Sequence, residues 1–229
     1  MKPGLQAPVL SYITEIRMKK NSKSEGKGKS NTSFEIDIAD NIESMLKKFV
    51  YTDERYIIRR DGKALIPKNR SIEHHKQRFF VNDEKGPNPS AREMINVDAV
   101  VLDTNDPKTV EMILEYEYQT NPKDMIRNFL APFAVDLYKA NYDNDKEEYK
   151  LDRNRTLVLL IICFPEKKGE SNRERVPLEK GEIMRSWLLK IKDILISHSS
   201  IKDGEIIIGD ELNTVVELTK RRIKELRPK

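Results

Sequence analysis

The chain has 229 residues, enough for one sizeable hydrophobic core, and 35% of them are charged against 38% hydrophobic. No run approaches the roughly 20 consecutive apolar residues of a membrane-spanning helix, and the first residues lack the apolar stretch of a secretory signal. The single cysteine, Cys163, excludes an internal disulfide. These features predict a cytoplasmic protein without a membrane partner.

The basic residues are unevenly placed, although the net charge is only +4. Residues 18–33 are rich in Lys, Ser and Gly and predict a flexible basic loop. Such a loop is suited to contact a phosphate backbone, and it is equally typical of a solvated surface. The candidate nucleic-acid-binding lysines of this loop are Lys19, Lys20, Lys23, Lys27 and Lys29.

The N-terminal part of the chain predicts strands around the basic loop and then a helix. Residues 9–17 and 34–38 alternate apolar and polar side chains, which is typical of paired strands. Residues 42–49 carry apolar side chains at helical spacing, and Asp40 or Asn41 is a suitable N-cap.

A hairpin and an irregular polar stretch are predicted next. Asp61-Gly62 between residues 56–59 and 64–66 is a strong hairpin signal. Residues 67–92 are polar and rich in turn residues, with one short strand predicted at 78–81.

The most informative stretch is a pair of strands that carry acidic residues. Asp98 lies within the apolar strand 97–102, and a polar turn leads to the strand 110–119. Since strand side chains alternate, Glu115, Glu117 and Gln119 share one side of the second strand. A hairpin would bring Asp98 to these carboxylates, and like charges that close need a cation or a shared proton between them. The pattern therefore predicts a metal site.

The remaining elements predict an α/β fold. A helix capped by Asn121 is predicted to run to Ala140 with a bend at Pro132, followed by an acidic turn at 143–148. A buried strand is predicted over 155–164, because it contains the continuous apolar run 157–164, and it is expected to lie parallel to the Glu115 strand through a right-handed crossover. The predicted C-terminal elements are a helix over 182–197, a strand over 204–209 and a basic helix capped by Asp210.

The order of a carboxylate strand, a turn, an apolar strand ending in Glu-X-Glu, a helix and a buried strand resembles the PD-(D/E)XK nuclease superfamily. Two registers fit the resemblance: Asp98 with Glu115 and Glu117, or Asp98 with Glu117 and Gln119. The first is preferred, because the apolar run 112–114 leads directly into Glu115. No Pro precedes Asp98, and the Lys of the family motif is absent.

The sequence contains no repeat and no internal linker that would divide it, so a single domain is expected over residues 1–229, of which the resemblance covers 38–165. Its restriction-endonuclease-like core spans 38–165, with a mixed central sheet flanked by helices and an N-terminal strand pair, and a helix–strand–helix unit follows at 178–229.

The resemblance also implies hydrolysis of phosphodiester bonds in DNA or RNA with Mg²⁺ or Mn²⁺. Asp98 and Glu115 are the implied metal ligands, and Glu117 stands where the family has a water-orienting Lys. Gln119 or Lys123 is expected to assist, and Glu43 to add an outer carboxylate. Cutting of both strands of a duplex would favour a homodimer.

Two other functions fit the same sequence. The first is a non-catalytic nucleic-acid-binding or assembly protein on a degenerate nuclease-like fold, which would use the basic loop as an electrostatic arm. The second is a structural α/β protein whose partners are proteins. The three hypotheses differ in what they expect of the carboxylates and of nucleic-acid affinity.

Overall fold

The computed structural model describes the chain in segments. They are residues 31–61, 75–80, 93–105, 108–118, 120–134, 137–142, 145–164 and 178–227. In residues 31–32, 75–80, 93–94, 137–142 and 145–148 only the backbone is described.

Helices and strands alternate along the described residues. The helices are α1 (Asn31–Phe49), α2 (Pro122–Leu130), α3 (Leu178–Ile196) and α4 (Leu212–Leu226), and a 3₁₀ helix (Ala131–Ala134) follows α2. The strands are β1 (Tyr56–Arg60), β2 (His75–Phe80), β3 (Glu93–Val97), β4 (Ala99–Asp103), β5 (Thr109–Tyr118), β6 (Leu137–Tyr142), β7 (Asp145–Lys150), β8 (Leu157–Cys163) and β9 (Asp203–Gly209).

These strands form a mixed sheet, which confirms the predicted α/β class. Strands β1, β4 and β5 are antiparallel neighbours, and β5, β8 and β9 are parallel neighbours. Strands β2, β3, β6 and β7 extend the sheet and join β5 through a single pair, Thr109 with Lys150. The mixed order places the carboxyl ends of β5, β8 and β9 at one edge.

Helices cover both faces of the central strands. On one face, Met125 and Phe129 of α2 and Leu188 of α3 pack on the sheet. On the other face, α1 and α4 form a second buried cluster that includes Ile42 and Val215. Among the described residues, no helix is long and apolar enough to cross a membrane.

Strands β5 and β8 pair in parallel, as predicted. Seven consecutive residues of β5, Met112 to Tyr118, pair with the seven residues of β8. All of β8 is buried, including Cys163, as its continuous apolar sequence predicts.

The prediction of a strand at residues 34–38 is wrong, because these residues belong to α1. Ile38, Ile42 and Met45 are buried at helical spacing, and this stripe outweighs a short alternation. Asp40 and Asn41 lie inside α1 rather than at its cap, and the Asn41 amide donates to the Asp37 carbonyl at 2.7 Å. The predicted loop 18–33 overlaps the start of α1, and the predicted strand 9–17 lies outside the described residues.

The helix predicted to reach Ala140 ends at Leu130. Pro132 has no N–H for a helical hydrogen bond, and the chain passes into the 3₁₀ helix instead. The following residues form the β6–β7 hairpin, which replaces the rest of the predicted helix and most of the predicted acidic turn.

Two further local predictions concern β1 and the start of α4. Strand β1 occurs where predicted and pairs antiparallel with β4, whereas its predicted hairpin partner at residues 64–66 lies outside the described segments. Helix α4 is capped by Glu211 instead of Asp210, without a side-chain hydrogen bond at the cap.

Candidate metal centre

The β4–β5 hairpin places Asp98 beside the carboxyl-terminal half of β5. Ala99 pairs with Leu114, so Asp98 falls at the bend between β3 and β4, next to Glu115. Its Oδ2 accepts a hydrogen bond of 2.8 Å from the Tyr116 N–H, and its carbonyl accepts one of 2.7 Å from the Asp61 N–H. The Asp98 side chain therefore takes the role of a backbone partner for β5, and the strand bends there.

The two carboxyl groups of Asp98 and Glu115 are hydrogen-bonded to each other. Like charges this close repel, so the pair favours either a shared proton or a bound cation between the two groups. Glu115 is buried, with 6% of its surface exposed, and Asp98 is partly buried. The predicted pair of metal ligands is thus brought together.

An open cavity of about 550 Å³ surrounds this pair. Four carboxylates from three elements line it: Glu35 of α1, Asp98, and Glu115 and Glu117 of β5. The Glu35 carboxylate accepts a hydrogen bond from the Tyr118 N–H, and the Phe34 ring stacks on Tyr118 at a centroid distance of 4.2 Å. These contacts bring the first turns of α1 to the end of β5.

Burial and mutual repulsion raise the pKa values of all four carboxyl groups. Burial, followed by the Asp98 charge, raises the pKa of Glu35 to about 7. Burial raises the pKa of Asp98 to about 6, although the Tyr116 N–H and the bond to Glu115 oppose the change. Burial and the charges of Asp98 and Glu117 raise the pKa of Glu115 well above its ordinary value. The cavity is therefore short of positive charge.

Glu117 adjoins the pair but has a hydrogen-bond partner of its own. The Asn128 amide of α2 donates to Glu117 Oε1. Burial, and then the charges of Glu35 and Asp98, raise the pKa of Glu117 to about 8. Glu117 therefore lines the site without completing a three-carboxylate ligand set with Asp98 and Glu115.

The donor set suits a hard divalent cation of the Mg²⁺ type. Mg²⁺ is commonly bound by one or two carboxylates and keeps several waters, which the Asp98–Glu115 pair and an open cavity satisfy. Within the described segments, no group of three or more His, Cys, Asp or Glu side chains is arranged to hold a metal ion. A bound ion would therefore take its remaining ligands from water or from a rotated Glu117.

The structure does not bring every predicted site residue to the cavity. The Glu43 carboxylate binds the Arg60 side chain, with 2.6 Å between Oε1 and Nε, and does not line the cavity. Lys123 is exposed at the start of α2 and does not line the cavity either. Gln119 and the five lysines of residues 18–33 lie outside the described segments.

Three residues that line the cavity were missed by the sequence analysis. Glu35 was assigned to a strand, although continuing the helical stripe of α1 towards its start would have placed it on a helix. Arg127 and Asn128 lie in α2, whose start is predicted correctly from the sequence. The apolar pattern of this helix predicts only its packing against the core and does not indicate that these two residues line a cavity. Their sequence context carries no signal that distinguishes them from ordinary surface residues.

No protein-family model, curated protein or solved structure matches this chain.

Proposed function

We propose that this chain is a divalent-metal-dependent endonuclease that hydrolyses phosphodiester bonds of DNA, with a site like that of the PD-(D/E)XK nucleases. The hydrogen-bonded Asp98–Glu115 pair is the observation that carries the proposal. It lies at the end of a central strand, in an open cavity, and among the described residues neither carboxylate forms an ion pair with an arginine or lysine. Adjacent carboxyl groups that are shielded from water and have no basic side chain as an ion-pair partner favour binding of a cation from solution.

The arrangement of the pair supports the register of Asp98 with Glu115 and Glu117. Asp98 and Glu115 are the ligands, and they must release their shared proton when a cation replaces it. A divalent ion held there lowers the pKa of a bound water and offsets the negative charge of the phosphate.

Glu117 is the residue that receives or orients the attacking water. The Asn128 amide and the Thr120 side chain hold Glu117 by hydrogen bonds, and an oxygen of this carboxylate accepts a proton from the attacking water. The raised pKa of Glu117 makes it a stronger base than an ordinary carboxylate. It therefore takes over the task that a lysine performs in the family motif.

The test measures cleavage of a supercoiled plasmid and of labelled DNA and RNA with Mg²⁺, Mn²⁺ or chelator. Cleavage should require the metal and fall about 10³-fold or more in Asp98→Asn and in Glu115→Gln, since each change removes a ligand. Asp193→Asn and Glu179→Gln are matched controls, because both residues are exposed on α3, away from the cavity. Circular dichroism and thermal melts establish that the variants fold.

The outcome also separates the rival functions. Metal-independent cleavage, or full activity in Asp98→Asn, would contradict the proposal. A non-catalytic binding protein would retain salt-sensitive DNA affinity in both site variants and lose it when the lysines of residues 18–33 are neutralised. A protein with protein partners alone would show no nucleic-acid affinity at ordinary salt.

A further inference from the structure

Helix α2 lies against the candidate metal centre and begins just after β5. Its N-cap is Asn121, whose side-chain oxygen accepts a hydrogen bond of 3.1 Å from the Asp124 N–H. Met125 and Phe129 anchor one side of the helix in the core. The turn between Met125 and Phe129 therefore has a fixed position, and its residues Arg127 and Asn128 line the cavity.

Arg127 is the one basic side chain among the described residues that line the cavity. Its Nε donates to Asn128 Oδ1 at 2.9 Å, and the amide of the same Asn128 donates to Glu117. Its NH2 lies 3.7 Å from Asp124 Oδ1, and the side chain is 70% exposed. Arg127 is thus oriented through its Nε and flanked by Asp124, while most of its side chain is exposed to solvent.

The charges in the cavity create a requirement that Arg127 meets. Four carboxyl groups line the cavity and a phosphodiester is itself an anion, so a cationic side chain beside the metal favours binding of the substrate. A guanidinium also offers paired N–H groups that match phosphate oxygens.

We propose that Arg127 binds the phosphate of the nucleic-acid substrate beside the metal centre, and that Asn128 is the positioning residue that orients both Arg127 and Glu117. This inference rests on the proposed function, because it assigns the phosphate-binding group of the same site. The substrate contact is to the backbone, so it carries no base specificity.

The experiment compares wild type with Arg127→Ala, Arg127→Lys and the matched control Arg221→Ala. Arg221 is exposed on α4 and does not line the cavity, so its loss changes net charge equally. Affinity for a fluorescein-labelled DNA duplex is measured by anisotropy in Ca²⁺, which takes the same oxygen ligands as Mg²⁺, under conditions where no product forms. Binding of Mn²⁺ to the protein alone is measured by electron paramagnetic resonance.

Arg127→Ala should weaken DNA binding by about tenfold or more, because a charge-assisted hydrogen bond to phosphate is lost. Arg127→Lys should recover part of the affinity, and Arg221→Ala should stay within about threefold of wild type. Mn²⁺ affinity of Arg127→Ala should be equal to or slightly higher than that of wild type, since a positive charge leaves the cavity. A merely structural role of Arg127 would instead weaken Mn²⁺ binding.

Three results would overturn the inference: unchanged DNA affinity in Arg127→Ala, an equal loss in Arg221→Ala, or loss of Mn²⁺ binding together with DNA binding. If wild type binds DNA with metal but never cuts it, the nuclease proposal fails, while the Arg127 contact is still decided by the affinity difference. If wild type binds no nucleic acid at all, both proposals fail.

Discussion

The two ends of β5 use buried glutamates in opposite ways. At the amino-terminal end, Glu111 is 1% exposed, and its two oxygens contact Arg155 and Arg227, the latter at 3.2 Å. At the carboxyl-terminal end, Glu115 is nearly as buried, yet its neighbour is the Asp98 carboxyl group. A buried carboxylate that forms ion pairs with arginines holds parts of the fold together. A buried carboxyl group whose neighbour is another carboxyl group is suited to bind a cation from solution.

A β-bulge separates these two ends. Val101 pairs with Met112 and Leu102 pairs with Val110, so Glu111 has no residue opposite it on β4. Val110 and Ile113 consequently face the same core cluster, although they are three residues apart. The extra residue lets Glu111 reach Arg227, just after α4, while Glu115 and Glu117 reach the cavity beside α2.

Matched Glu→Gln changes on this single strand test the comparison most strongly. Glu111→Gln leaves Arg227 and Arg155 without their shared carboxylate and should lower the free energy of unfolding by about 2–3 kcal/mol. Glu115→Gln should leave the free energy of unfolding at pH 8 unchanged or raise it. The wild-type carboxyl group has a raised pKa and opposes folding at high pH, whereas the amide does not titrate. Urea unfolding in chelator measures both. Equal losses in the two variants would contradict the division of roles.

The pH dependence of stability should also differ between the ends. At the cavity, the folded-state pKa values of about 6, 7 and 8 for Asp98, Glu35 and Glu117 exceed their ordinary values. The stability that these three groups contribute to the folded state is therefore fully present below about pH 4 and is lost as the pH rises towards 8. Asp103 behaves oppositely, since Arg155 and the Asn105 N–H outweigh burial and lower its pKa.

Thermal melts in chelator should reveal the cavity contribution. The double variant Asp98→Asn/Glu117→Gln should match wild type below about pH 4 and melt about 3 °C or more above it at pH 8.5. Saturating Mn²⁺ should raise the melting temperature of wild type at pH 8.5 and leave the double variant unchanged. A difference that shrinks with rising pH would have the wrong sign.

A smaller effect is expected from Glu35. Its carboxylate lines the cavity but is held by the Tyr118 N–H rather than by the Asp98–Glu115 pair. Glu35→Gln should therefore reduce metal-dependent cleavage by about tenfold, well short of the loss in Asp98→Asn. Cleavage rates at saturating Mn²⁺ measure the effect. A loss as large as that of Asp98→Asn would make Glu35 a metal ligand.

The smallest effect on activity is expected at Glu43. This residue belongs with the arginine-paired acids, because Arg60 binds it and it lies outside the cavity. Glu43→Gln should change the cleavage rate by less than about threefold and cost about 1 kcal/mol of stability. A large fall in cleavage with normal stability would restore the outer-carboxylate role predicted from the sequence.

The central hairpin and the buried strand could be predicted from the sequence because their patterns are unambiguous. The β8 run from Leu157 to Cys163 is continuously apolar, and Glu115 and Glu117 follow an apolar lead-in on β5. Hairpin geometry then predicts that Asp98 lies near the end of β5, but its exact position opposite Glu115 depends on the register shift between Val101 and Leu102. The bulge at Glu111 was not predictable, because it depends on which residues oppose each other across the two strands.

The missed parts depend on tertiary contacts or on competing local patterns. The first turns of α1 alternate like a strand over five residues, and only packing against β5 and α4 favours the helix. The β6–β7 hairpin contains helix-forming Lys and Glu residues, so cross-strand pairing overrides local propensity there. Asn128 acquires its role only from its distance to Glu117, which no linear spacing encodes.

The bulge at Glu111 also separates the cavity-lining half of β5 from the turn that precedes the strand. Side chains along a strand alternate between the two faces of the sheet. A one-residue change in the length of the turn 104–108 would therefore ordinarily move every later side chain of β5 to the opposite face. Here the pairing of seven residues with β8 fixes which way the side chains of Met112 to Tyr118 point. The bulge just before this segment can accommodate a change of register in the turn. Insertions in that turn should thus be tolerated without turning Glu115 away from Asp98.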